Sequence, residues 1–285
     1  MNESVVVRTI GSIWRGHHFI WKKPESWMPL LGSWLAPRLR KDGIHRLKPG
    51  VYRDVSWDDP EWSDILGRSL RGDFDGHAEE LADSLEHAIM RTFHGCRTED
   101  AGIYFREGLR LHDRREMTDR LRSIIAQNTE LHWMRDRVDE LVRDVNNTLD
   151  EGRSFVVADD TALLKRCAHY LIYGSEWIVA VLGHSGHRVL RNIGTPTLLE
   201  IDLPLSMSSF QTRKELAIKL LDEWTRFTCN TPDWSAPIDF SFRLRSAIPP
   251  SCIVGHSHPA ELNDPLNGKT LYRSPTNTCA FCAQG

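Results

Sequence analysis

Apolar residues recur at helical spacing in three parts of the chain. Residues 75–90 carry apolar side chains every four positions, which predicts a helix with Asp75 as its N-cap. The longest helical stripe covers 116–149 and weakens near Asn128, so we expect one or two amphipathic helices that form a hairpin. Residues 212–227 repeat the amphipathic pattern and predict a further helix.

Elsewhere the pattern changes to strand-like runs. Residues 154–158 form a short apolar run, while 197–203 and 238–244 alternate between apolar and polar positions. A last short strand is predicted in the Ile-Pro-Pro-Ser-Cys-Ile-Val segment at 248–254, and residues 161–182 read as a largely buried helix. This order of elements predicts an α+β fold with mixed or antiparallel strand pairing.

The two ends of the chain differ from this middle part. Prolines interrupt residues 1–60, where no regular period is visible. We therefore divide the chain into an irregular, basic and tryptophan-rich N-terminal extension at 1–74, an α+β domain at 75–255 with a helical insertion at 116–150, and a C-terminal tail at 256–285.

Composition narrows the class of protein only modestly. The chain has 285 residues, of which 40% are hydrophobic and 26% charged, values that are ordinary for a globular protein. It has no apolar run of membrane-spanning length and no secretory signal pattern, so we expect no membrane partner. The six cysteines are scattered through a long chain, which favours a reducing, cytoplasmic location over a disulfide framework.

The N-terminal region departs from the average charge. The net charge of the whole chain is −3, but residues 1–50 hold nine lysines or arginines against three acids. Tryptophans at positions 14, 21, 27 and 34 lie among these charges, a mixture that suits a nucleic-acid-binding surface. The alternative is that the tryptophans pack a small subdomain and the charges are solvated.

One stretch carries recognisable chemistry. An apolar run ends at Phe93-His94-Gly95, and a short helix over 103–110 closes at Gly108. This arrangement resembles the first motif of the ADP-ribosyltransferase fold, which has a split β-sheet core. The resemblance implies that His94 donates a hydrogen bond to a ribose hydroxyl of NAD. It also implies that the backbone at Gly95 approaches the nicotinamide amide, which a Cβ atom would obstruct.

The resemblance continues through residues 155–170, a strand, a turn and a helix. It implies that Tyr170 covers the nicotinamide and that Thr161 lies near the cofactor. The chain departs from the family pattern at Cys96, where a serine or threonine is usual, and in strand 238–244, which has no glutamate. Asp239 or Glu176 would then supply the catalytic carboxylate, and loss of such a group typically lowers the rate by ~10²–10³.

Two further residues complete the candidate cofactor site. Arg106 follows the His-Gly motif and could hold a pyrophosphate, with solvent exposure as the alternative. Ser175 precedes Glu176 in an apolar segment, where both could face a cleft or simply accompany close helix packing.

The resemblance implies a transferase that uses NAD as its substrate and modifies a nucleic acid or protein, as toxins and phage-defence effectors do. A second hypothesis is an inactive protein of the same fold that binds nucleic acid or a partner protein. The sequence leaves the acceptor and the oligomeric state open.

The C-terminal tail offers a third hypothesis. His256 and His258 are followed by Cys279 and Cys282, and imidazole and thiolate are the ligands that zinc prefers. The spacing differs from that of zinc fingers, and a tail with two ordinary thiols is the competing interpretation. We assign no metal from the sequence alone, but these four residues are the candidates for a zinc-stabilised binding module.

Overall fold

The computed structural model describes residues 13–50, 55–56, 59–145, 151–230, 238–275 and 279–284. The strands are β1 (His18–Phe19), β2 (Ile89–Thr98), β3 (Ser154–Val157), β4 (Thr195–Pro204), β5 (Ser241–Leu244), β6 (Ile253–Ser257), β7 (Glu261–Asp264) and β8 (Thr270–Arg273). The α-helices are α1 (Met28–Leu35), α2 (Gly43–Arg46), α3 (Glu61–Ser69), α4 (Phe74–Leu85), α5 (Gly102–Glu107), α6 (Arg114–Gln127), α7 (Val138–Asp144), α8 (Asp160–Lys165), α9 (His169–Tyr173), α10 (Glu176–Leu190) and α11 (Phe210–Cys229). None of the described helices is both long and apolar enough to cross a bilayer.

The chain divides into two compact units. The first comprises Met1–Arg91 and Leu203–Phe240, and the second comprises Thr92–Asp202 and Ser241–Gly285. In the first unit α11 packs against α4, α3 and α1, and β1 runs parallel to the start of β2. The predicted N-terminal extension therefore contains regular helices in its described part, and these pack against a helix more than a hundred residues away in sequence.

The N-terminal tryptophans belong to the core of this first unit. Trp14 and Trp27 are fully buried, and Trp21 and Trp34 are 3% exposed. A buried indole ring cannot stack on a nucleotide base. The prediction that these tryptophans form part of a nucleic-acid-binding surface is therefore corrected. The physical reason is that burying such large apolar rings stabilises the fold more than exposing them to water.

The second unit is built on an antiparallel sheet. Its strands follow the order β5-β3-β2-β4-β6, with Ser154 opposite Leu244 in one pair and Leu199 opposite His256 in another. The strands β7 and β8 form a separate hairpin in the segment predicted as a tail. The α+β class is thus confirmed, whereas the split sheet of ADP-ribosyltransferases stays a prediction.

One face of β2 carries the main core of the second unit. Phe93 packs there with residues of α6, α8, α9 and α10. A Cβ atom on Gly95 would lie 3.2 Å from Leu163 and 3.5 Å from Leu171, so the glycine permits close packing of α8 and α9. Arg97 extends to the same side, where its guanidinium donates to the carbonyl oxygen of Ile172 at 3.0 Å.

Local sequence signals mark several element boundaries correctly. α5 ends at Gly108, whose φ is 78°, and Asp159 caps α8 by accepting from the Thr161 N–H at 2.8 Å. α4 begins earlier than predicted, because Asp73 rather than Asp75 accepts from the Gly76 N–H at 3.0 Å. The predicted helix at 161–182 is interrupted, since Gly174 adopts a φ of 83° and ends α9.

Candidate metal centre

Two histidines of the candidate zinc group lie on strand β6 and its continuation. His256 lies opposite Leu199 of β4, and His258 follows two positions later. Side chains two positions apart in an extended chain point to the same side of the sheet. The His-x-His spacing, unusual for a helix-borne finger, therefore brings both imidazoles to one side, with 5.0 Å between ring centroids.

The two cysteines return to this point from the end of the chain. The Ala280 N–H donates to the Glu99 carbonyl at 2.8 Å, just after β2. The ring of Phe281 stacks on Phe105 of α5 with 5.2 Å between centroids, and it lies 5.5 Å from the ring of His256. These contacts place Cys279 and Cys282 beside the two histidines.

The four side chains offer converging ligand atoms. One nitrogen from each histidine and the two Sγ atoms all lie within 4.8 Å of one another. The Cys282 Sγ is 3.2 Å from Nε2 of His256 and 3.4 Å from Nε2 of His258. In a tetrahedral zinc site with ordinary bond lengths, nitrogen and sulfur ligands are about 3.5 Å apart. These two distances therefore match the edges of a zinc tetrahedron.

The orientation of His258 is fixed by groups outside the cluster. Its Nδ1 lies 2.9 Å from the Pro196 carbonyl oxygen and 3.2 Å from Oγ1 of Thr197. A carbonyl oxygen can only accept, so Nδ1 carries the hydrogen and Nε2 keeps a lone pair towards the cysteines. Hydrogen bonding of the outer nitrogen in this way is typical of metal-ligating histidines.

The protonation states suit metal ligation. Burial acts to raise the pKa of the Cys279 thiol, but the backbone N–H groups of Ala101, Cys282 and Phe281 act together against it, and the pKa lies below its ordinary value. Burial lowers the pKa of His256, and the neighbouring His258 lowers it further. A readily ionised thiol beside a neutral imidazole provides the donor atoms that zinc requires.

The ligand set is complete with protein side chains alone. Cys279 is 1% exposed, the two histidines are half-buried, and Cys282 lies at the surface. Four protein ligands fill the tetrahedral shell of zinc and leave no position for water or substrate. The arrangement therefore suits a structural ion rather than a catalytic one.

Comparisons with known proteins do not assign the chain to a family. No protein-family model, curated protein or solved structure matches it. The functional argument therefore rests on the geometry of this chain.

The structure places His94 on β2 with its ring half-buried. Its Nδ1–H donates to the Phe155 carbonyl at 2.8 Å. Burial lowers the pKa of His94, and the hydrogen bond to Phe155 opposes this effect without cancelling it. With Nδ1 bonded to the Phe155 carbonyl, Nε2 is the ring nitrogen that is left to meet a ligand.

Tyr170 and Glu176 of the predicted NAD site meet each other away from His94. Gly95, the next residue of β2, faces α8 and α9, so the His94 side chain extends to the opposite face of the strand. Tyr170 lies on α9, where its hydroxyl donates to the Glu176 carboxylate at 2.6 Å. The structure thus joins Tyr170 to Glu176 but leaves both on the side away from His94.

The remaining predicted residues take local roles. Cys96 forms a hydrogen bond with the Tyr104 hydroxyl. Burial raises the pKa of the Cys96 thiol to about 11. Arg106 pairs with Asp100 at 2.7 Å on the surface. Thr161 and Ser175 lie at the starts of α8 and α10.

Asp239 is exposed and belongs to the first unit, just before β5. Among the residues that the sequence assigned to catalysis, the structure joins Tyr170 and Glu176 by a hydrogen bond. The four residues named for zinc converge, although their sequence signal was weaker.

Proposed function

We propose that this protein binds one zinc ion through His256, His258, Cys279 and Cys282, and that the ion fastens the C-terminal tail to the second unit. The observation that carries this proposal is the convergence of the four ligand atoms within 4.8 Å. The hydrogen bond from His258 to Pro196 supports it, because it holds Nε2 ready for a metal.

Zinc at this position would connect three parts of the second unit. The histidines belong to the β6 region, the cysteines to the chain end, and Phe281 between the cysteines packs on Phe105 of α5. Without the ion, a thiolate and two partly desolvated imidazoles would lie together with little to compensate their burial. We therefore assign the protein to zinc-stabilised binding modules.

Metal analysis of the purified chain tests the proposal. We expect about one zinc ion per chain, bound with high affinity as in other structural sites. The double variant Cys279→Ser and Cys282→Ser should lose the zinc. A control that changes two half-buried cysteines elsewhere, Cys96→Ser and Cys167→Ser, should retain it.

The same experiment can overturn the proposal. A wild-type chain without stoichiometric zinc, even after refolding with added zinc, would rule out the site. Zinc that persists in the Cys279 and Cys282 variant would place the ion elsewhere.

NAD-dependent ADP-ribosyl transfer to a nucleic acid or protein is the second candidate function. One observation favours it: the half-buried ring of His94 is oriented by the Phe155 carbonyl, which leaves Nε2 for a ribose hydroxyl. The test is transfer of label from NAD to a lysate or nucleic acid, which His94→Ala should abolish and exposed His45→Ala should not. Absence of transfer by the wild-type chain would remove this candidate and leave the zinc proposal intact.

A further inference from the structure

A surface cavity lies in the first unit, where α3 ends and α4 begins. Its volume is about 610 Å³. Three arginines line it together with two acidic residues, two glycines, a serine and an aromatic ring: Arg40, Arg46, Arg68, Asp64, Asp73, Gly67, Gly72, Ser63 and Phe74. The three guanidinium groups give this cavity a chemistry of its own, which the zinc site does not use.

Arg40 is held in place by backbone groups rather than by an acid. Its Nε–H donates to the Leu70 carbonyl at 2.6 Å, and its backbone N–H donates to the Ser69 carbonyl at 2.9 Å. Within the described residues its guanidinium has no carboxylate partner. One edge of the guanidinium is therefore fixed, and the terminal amino groups are left for an anion.

The other two arginines of the cavity make only exposed or distant ion pairs with acids. Arg68 is about half exposed, and its nearest described carboxylate, Glu61, is 4.0 Å away, beyond hydrogen-bond distance. Arg46 pairs with Asp42 at 3.1 Å, but both side chains are more than half exposed. Exposed pairs of this kind contribute little stability, so a phosphate can compete for either arginine.

The acidic residues of the cavity only partly offset this charge. The Asp73 carboxylate is occupied as the cap of α4, where it accepts from the Gly76 N–H. Asp64 is the second carboxylate of the lining, so the three arginines exceed the two lining acids by one charge, and the Ser63 hydroxyl donates to Asp222 of α11. Residues 36–50, which supply Arg40 and Arg46, contain five lysines or arginines and a single acid. The cavity and its surroundings thus favour an anion.

We infer that this cavity binds the phosphate backbone of a single-stranded nucleic acid. Arg40 and Arg68 contact neighbouring phosphates through charge-assisted hydrogen bonds. The half-buried ring of Phe74 lines the same cavity and offers a surface on which a base can stack. The sequence predicted nucleic-acid binding through basic residues and tryptophans of the N-terminal region. The structure retains the arginines for this role, adds Arg68, and replaces the buried tryptophans with Phe74.

The test is fluorescence anisotropy of a labelled single-stranded oligonucleotide of about 15 nucleotides, a length typical of such sites. We expect Arg40→Gln with Arg68→Gln to weaken binding about tenfold or more and to lower the salt slope by about 1.4, since each phosphate contact on a single strand contributes about 0.7. The matched control, Arg137→Gln with Arg273→Gln, removes the same charge from exposed, acid-paired positions of the second unit and should bind like wild type.

A second variant separates charge from geometry. Arg40→Lys with Arg68→Lys keeps the charge but loses the bidentate fork, so we expect intermediate affinity. Circular dichroism melting of each variant confirms that it folds.

Three results would overturn the inference: no binding by the wild-type chain, equal losses in the control, or equal binding of duplex and single strand. Binding of pyrophosphate by a chain that does not bind the oligonucleotide, measured by calorimetry, would also overturn it, because it identifies a small-anion site. Zinc content is measured in every sample, so failure here leaves the zinc proposal untouched.

Discussion

Two aspartates of this protein, Asp264 and Asp222, differ in the groups that contact their carboxylates. Asp264 is fully buried, yet it accepts from the Tyr173 hydroxyl at 2.5 Å and pairs with Arg191. Asp222 is half-buried, and the neutral hydroxyl of Ser63 donates to it at 2.5 Å. Burial raises the pKa of Asp222 to about 6, and the bond from Ser63 and the charge of Lys219 oppose the rise. Replacing the carboxylate by a neutral amide should therefore change the stability of the protein in opposite directions at these two positions.

The first prediction concerns the pH dependence of stability. Because the folded pKa of Asp222 is about 6 and its ordinary value is 3.8, the folded state binds more protons than the unfolded state between these values. The contribution of Asp222 to the free energy of unfolding should therefore fall as pH rises from about 4 to 6. Asp222→Asn should remove this contribution and raise stability relative to wild type at pH 8 by about 2 kcal/mol or less.

Urea denaturation at pH 4.5 and pH 8 measures the effect. Asp264→Asn is the contrasting variant and should lower stability at both pH values, because it removes the charge that pairs with Arg191. A stability difference between Asp222→Asn and wild type that does not grow from pH 4.5 to pH 8 would contradict the assignment.

At the scale of elements, glycines with positive φ terminate helices where the chain must turn sharply. Gly108 ends α5 with a φ of 78° and a ψ of −167°. A Cβ atom there would lie 2.0 Å from the Ile248 carbonyl oxygen, which accepts the N–H of Leu109. Gly183 bends α10 with a similar φ of 57° and ψ of −159°, but no atom lies within 4 Å of its ideal Cβ position.

The second prediction compares these two glycines. Gly183→Ala should lower the free energy of unfolding by about 1–2 kcal/mol, the cost of this backbone conformation for a residue with a side chain. Gly108→Ala should cost at least about 2 kcal/mol more, since the methyl group also collides with a backbone carbonyl. Thermal denaturation of the two variants measures the difference, and equal losses would show that the Leu109–Ile248 bridge adapts freely.

At the scale of the whole molecule, the proposed zinc ion concerns only one of the two units. All four ligands belong to Ser241–Gly285, and the groups that orient them belong to the same unit. The arginine-lined cavity belongs to the other unit. Metal binding and nucleic-acid binding are therefore expected to be separable.

The third prediction follows from this division. Removal of zinc with a chelator should speed amide exchange in β6 and in the segment around Ala101, whose N–H donates to the Cys279 Sγ at 3.4 Å. The amides of α11 should be unaffected, because none of the four proposed zinc ligands belongs to the first unit. Saturating zinc, at about 100 times its dissociation constant, should raise stability by about 2.7 kcal/mol. Hydrogen-exchange mass spectrometry measures both regions in one experiment, and a uniform change across the chain would contradict it.

Sequence alone determined the features that depend on neighbouring residues. The period of apolar positions correctly gave α11, β3 and β4, and the Gly108 stop followed from the need for positive φ. The end of α9 at Gly174 was not predicted, because the apolar residues on both sides of this glycine resemble one continuous helix. The donors of the zinc group were also visible in the sequence, because imidazole and thiolate chemistry does not depend on the fold.

Tertiary structure decided which of these residues meet. Adjacent residues of a strand point to opposite faces, and the close approach of Leu163 and Leu171 to Gly95 places the His94 side chain on the face away from Tyr170. The tryptophans went to the core because they pack on other rings of the first unit, as where Trp21 stacks on Trp27 and Trp14 meets Phe19 edge-on. His256 and Cys282 are 26 positions apart, and only the return of the chain end across α5 brings a thiolate and an imidazole within reach of one ion.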